Sequence, residues 1–93
     1  MEMIVNWLFM ILKIKAPVVI DLGYGYGTRP INKWLIDNVG AWKSHKFHPT
    51  KNTHSTTYGH GWRVHEQLVP GEGCRTIVEI ADERKALLFR LWV

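Results

Sequence analysis

The sequence predicts an α+β fold: an antiparallel sheet of four to five strands with one helix, about residues 30–39, packed on one face. Three observations predict it. Short β-branched or alternating runs at residues 18–22, 62–69, 75–81 and 85–93 are separated by turn residues. A single segment repeats its apolar residues at helical spacing. The chain is 93 residues long, enough for one core, so residues 1–93 read as a single small domain.

The first run, residues 3–12, is almost unbroken apolar sequence and ends in the alternation Leu12, Lys13, Ile14, Lys15, the pattern of a buried strand or a short helix. Ten residues fall short of the roughly 20 that cross a bilayer. Glu2 stands where a signal peptide carries cations, and no small-residue cleavage site follows. Pro17 ends the run, and residues 18–22 form a second one, so a hairpin is expected between them. Gly23, Gly25 and Gly27 alternate with Tyr24 and Tyr26, a loop or twisted strand end.

Thr28 reads as an N-cap, with Pro30 in the first turn, where its missing N–H costs nothing. Ile31, Trp34, Leu35 and Val39 then form one apolar stripe, closed by Gly40. Residues 42–61 show no sustained period and read as a long loop with at most one short strand near residues 42–47. Residues 62–69 alternate, with Trp62, Val64 and Leu68 on one side and Arg63, His65 and Gln67 on the other, until residues 70–73 turn the chain. By this parity Glu66 falls among the apolar residues, so an edge position or a partner such as Arg75 is expected for it. Residues 75–81 and 85–93 read as a terminal hairpin around Asp82, Glu83 and Arg84. Val78 faces Leu87 in it, and Phe89 and Leu91 point to the core. As a terminal apolar edge, residues 85–93 also suggest a homodimer.

Cys74 is the only cysteine, which excludes an internal disulfide and fits a reducing, cytoplasmic setting without membrane attachment. The net charge of +4 is unevenly spread: no acidic residue lies between Asp37 and Glu66. That stretch holds Lys43, Lys46, Lys51 and Arg63 with all five histidines, His45, His48, His54, His60 and His65. Cations there alternate with Trp42, Phe47, Tyr58 and Trp62, a composition in which charges take phosphates while rings stack on unpaired bases. The histidines lack the thiol and carboxylate partners of a closed zinc site, so neither metal nor cofactor is expected.

Residues 21–27, preceded by Val18, Val19 and Ile20 and followed by a helix, resemble the first motif of the Rossmann-like S-adenosylmethionine methyltransferases. The resemblance covers about ten residues. It implies a parallel sheet about twice this chain's length, and no later strand ends in the acidic residue that would hold a ribose. Ser44, His45, Lys46 and Phe47 are similar to the catalytic histidine segment of small toxin ribonucleases, which implies an acid and a base drawn from His45, His48, His60 and His65.

The leading expectation is a small basic, non-catalytic protein that binds nucleic acid or a nucleic-acid-processing partner through residues 42–65. The binding residues would be Lys43, Lys46, Lys51, Tyr58, Trp62 and Arg63. Two alternatives stand beside it: the toxin-like ribonuclease, and a protein-binding inhibitor encoded by a virus or mobile element, for which the five Trp would supply interface anchors.

Overall fold

A computed structural model describes residues 16–48 and 54–93. The expected strand or helix at residues 3–12, its hairpin with residues 18–22, and Lys51 all lie outside the described residues.

The chain forms β1 (Val18–Tyr24), α1 (Thr28–Asn38), β2 (Trp42–Phe47), β3 (His54–Gly59), β4 (Trp62–Val69), β5 (Gly73–Ile80) and α2 (Glu83–Trp92). The five strands make one sheet in the order β1-β5-β4-β3-β2, with every pairing antiparallel. The fold is therefore α+β, and among the described residues it contains no parallel pair of the kind the methyltransferase resemblance implies. Among the described residues its helices number two rather than one.

Strand β4 matches the sequence reading to the residue, because its alternation is unambiguous and Pro70 and Gly71 stop it. The β3–β4 connection is His60–Gly61, with Gly61 at φ 83°, a conformation that favours glycine. Ile20, Val78, Val64 and Thr57 are register partners across four strands, and Val18, Ile80, Trp62 and Gly59 form the next such row. These rows share one face of the sheet, and both helices cover it: Ile31 and Leu35 of α1 and Ala86 and Phe89 of α2 join the same core cluster. Trp34 meets Phe89 edge-on at 5.4 Å and stacks with Trp92 at 5.6 Å. Lys85 Nζ donates to the Val39 carbonyl at the end of α1, linking the helices.

Helix α1 starts two residues before the expected boundary. Gly27, not Thr28, is its N-cap, and no side chain caps it.

The terminal hairpin is corrected. Residues 85–93 lie in helix α2 and its C-cap, and Val78 pairs with Val64 and Ile20 rather than with Leu87. Two physical reasons account for this. Strand β5 already has β1 and β4 as neighbours, which leaves no edge for a further strand. The expected turn at Asp82 is instead a helix start, since the Asp82 carboxylate accepts from the N–H groups of Arg84 and Lys85. The segment invoked for edge-to-edge dimerisation is thus not a strand. Among the described strands the sheet's edges are β1 and β2, while Leu87, Leu88 and Leu91 of α2 are exposed. No described helix is long and apolar enough to cross a membrane.

The expected long loop is corrected too, because residues 42–59 contain both β2 and β3. Glu66 lies on the interior strand β4 opposite Thr76, half-buried, and Arg75 pairs with Asp21 across β1 and β5 instead.

Two carboxylates are held below the usual range. The Arg75 guanidinium does this for Asp21, with the Gly23 N–H assisting, and the Lys85 N–H leads for Asp82. Because both values are depressed by folding, their contribution is complete above the unfolded carboxylate range and is lost as pH falls through the folded values. Urea midpoints are therefore expected to drop below about pH 4. Asp82→Asn, which still caps but does not titrate, should make that drop shallower.

Candidate nucleic-acid interface

The face opposite the helices carries the other parity of every strand. Register places Val19, Glu79, Arg63, Tyr58 and Ser44 in one row, and Asp21, Ile77, His65, Thr56 and Lys46 in the next. Arg75, Gln67 and His54 follow in a third, where the His48 N–H donates to the His54 carbonyl. Among the described residues no helix packs on this face; Thr56 is buried on it, and His65 and Glu79 are half-buried.

A cavity of about 420 Å³ opens at the first row, and Lys43, Tyr58, Arg63 and Glu79 line it together with glycine backbone. The register irregularity between Trp42 and Ser44 explains why Lys43 contributes: an extra residue in the edge strand changes the side-chain direction there. The Arg63 guanidinium lies 5.6 Å from the centroid of the Tyr58 ring, a cation–π contact that pre-orients both groups. Among the described residues the cavity therefore joins two cations, the Tyr58 ring and one carboxylate, with Trp62, Pro17 and Ala81 in its lining.

Beside it runs a chain of hydrogen bonds. His65 Nε2 lies 2.5 Å from Glu79 Oε2, Thr56 Oγ1 lies 3.1 Å from His65 Nδ1, and His48 Nε2 lies 3.3 Å from Thr56 Oγ1. A carboxylate only accepts, so His65 Nε2 carries a proton. With neutral rings the remaining directions follow: the Thr56 hydroxyl donates to His65 Nδ1, and His48 Nε2 donates to Thr56. Thr56 is 1% exposed, a buried hydroxyl joining two rings at the surface. His48 also stacks on His54, with centroids 4.5 Å apart.

The expected binding residues separate accordingly. Lys43, Tyr58 and Arg63 come together at the cavity, and Lys46 is exposed one row away on the same face. Trp62 belongs to the core: it is 2% exposed, and its indole N–H donates to the Gly40 carbonyl at 2.7 Å. Its ring is buried but also borders the cavity.

The histidines separate as well. His48 and His65 share the network, whereas His60 lies in the β3–β4 turn, and His45 bonds Thr57 on the helix-side parity. Of the four candidates, His45 and His60 thus lie outside that network. Glu79 and Thr56 were missed by sequence reasoning. For Glu79 a signal existed, since it alternates with the core residues Val78 and Ile80 and so belongs on the open face. Thr56 gave none, because β3 lacks an apolar stripe. Cys74 is half-buried, and desolvation first, then the nearby Glu66 charge, pushes its thiol up, away from thiolate reactivity.

Among the described residues no group of three or more His, Cys, Asp or Glu side chains is arranged to hold a metal ion. The chain matches no protein-family model, no curated protein and no solved structure.

Proposed function

We propose that the chain binds single-stranded nucleic acid on the sheet face opposite α1 and α2. Lys43 and Arg63 take backbone phosphates there, and Tyr58 stacks on a base. The observation that carries this reading is the meeting of these three side chains, from three different strands, around one solvent-open cavity. A flat sheet face with a ring beside cations suits unpaired bases, whose π-faces are free; a duplex hides them. Lys46 and the His48–His54 pair extend the same surface along the strands.

Fluorescence anisotropy with a mixed-sequence single-stranded oligonucleotide, at about 50 and 200 mM salt, tests this. Tyr58→Ala should weaken binding by about 1–3 kcal/mol, the usual worth of one base–aromatic stack. Arg63→Ala and Lys43→Ala should each reduce the salt slope by about 0.7, the value of one phosphate contact on a single strand. Affinity independent of salt and of all three substitutions would refute the proposal. Such a result would favour the second reading, a protein-binding module using exposed Leu87, Leu88 and Leu91 of α2.

A further inference from the structure

We propose that the same cavity cleaves RNA, with Glu79 as the base that takes the proton of a ribose 2′-hydroxyl. This rests on the binding reading above and names its substrate. Among the described residues the cavity lining contains no Ser, Thr or Cys, and the one hydroxyl there, on Tyr58, belongs to the ring beneath Arg63. The nucleophile must then come with the substrate, and RNA carries one beside every phosphate. What such a substrate lacks is a base and a cradle for the developing charge. The cavity supplies both, since Glu79 stands opposite Arg63 in the β4–β5 register and Lys43 lines the same space.

Glu79 is also the end of the hydrogen-bonded chain. One of its oxygens, Oε2, is taken by His65, so the other is left for a bound hydroxyl. His65 is a positioning residue: its second nitrogen is fixed by buried Thr56, and the ring therefore holds the carboxylate in one orientation. Interior strands on both sides keep Glu79 and Arg63 in place, whereas a loop-borne base would need ordering.

The step balances without any other reagent. The 2′-oxygen gives its proton to Glu79 and bonds to phosphorus, and Arg63 and Lys43 offset the added negative charge on the phosphoryl oxygens. The bond from phosphorus to the 5′-oxygen breaks, and that oxygen takes a proton from water. Protonated Glu79 then returns its proton to solvent. The products are a 2′,3′-cyclic phosphate end and a free 5′-hydroxyl.

The test uses the full chain with an unstructured RNA oligonucleotide and the DNA of the same sequence, with binding and cleavage followed in parallel. The RNA should be cut to fragments with cyclic phosphate ends, and the DNA bound but uncut. Glu79→Gln should lower the cleavage rate by about 10²- to 10⁴-fold, the usual contribution of a general base, while RNA affinity stays within about threefold. His65→Ala should lower kcat with KM unchanged. Circular dichroism of both variants checks that they fold; if Glu79→Gln does not, Glu79→Asp, with a shorter reach, serves in its place and should still cut more slowly. RNA bound with its salt slope but left intact overturns the inference and spares the binding reading. Cleavage undiminished by a folded Glu79 variant also overturns it. RNA not bound at all overturns both.

Discussion

Replacing Phe89 by Ala is expected to remove about 3–5 kcal/mol of stability, most of what a small domain has. The ring is fully buried, edge-on to Trp34 and beside Trp92, so its loss leaves a cavity where α2 meets α1 and the sheet. The same experiment on its neighbours separates helix from strand. Were residues 85–93 a strand, Leu87, Phe89 and Leu91 would share one face and cost similar amounts. In α2, Leu91 is 75% exposed and Leu87 is exposed as well, so Leu87→Ala and Leu91→Ala should each stay within about 0.5 kcal/mol. Urea melts of the three variants make the comparison. Equal losses at all three positions would mean that α2 is wrongly placed.

Gly59→Ala is expected to cost about 2–4 kcal/mol, although it adds a single methyl group. Gly59 faces Trp62 across the β3–β4 pairing, and a Cβ there would overlap the indole ring. Trp62 cannot yield cheaply, because it is buried and its N–H is committed to the Gly40 carbonyl. The overlap adds strain of about 1–3 kcal/mol, and displacing the indole forfeits roughly 1 kcal/mol more for the hydrogen bond. Gly71→Ala is the control: a Cβ there meets nothing within 4 Å, and only its φ of 83° opposes the change. It should cost about 1 kcal/mol. Thermal or urea melts reporting equal effects at the two glycines would contradict this account of the Trp62 contact.

How much was legible in the sequence depended on whether two periods competed. In β4 only the strand period fits Trp62, Val64 and their polar neighbours, and in α1 only the helical one fits Ile31, Trp34 and Leu35. Residues 85–93 are so rich in apolar residues that both periods fit. The cap at Asp82 and the absence of a free edge on β5 decide between them, and the second is a fact of the whole sheet rather than of the segment. Strand β3 was hidden for the opposite reason, since His54, Thr56 and Tyr58 against Ser55, Thr57 and Gly59 offer no apolar face.

The candidate site was half legible. Parity placed Arg63 and His65 together on the wet side of β4, and charge distribution singled out Lys43 and Tyr58 as companions. Glu79 could not be joined to them until β5 was paired with β4, because the hairpin expected from sequence paired residues 75–81 with residues 85–93 instead.

The central claim is that nucleic acid binds the sheet face opposite α1 and α2. Titrating an isotope-labelled chain with a single-stranded oligonucleotide and following amide and side-chain resonances tests it most directly. The account predicts shifts concentrated at Lys43, Lys46, Tyr58, Arg63, His65 and Glu79, with Ile36, Leu87 and Leu91 on the helix side unmoved. Shifts confined to the helices, or spread evenly over the surface, would contradict it.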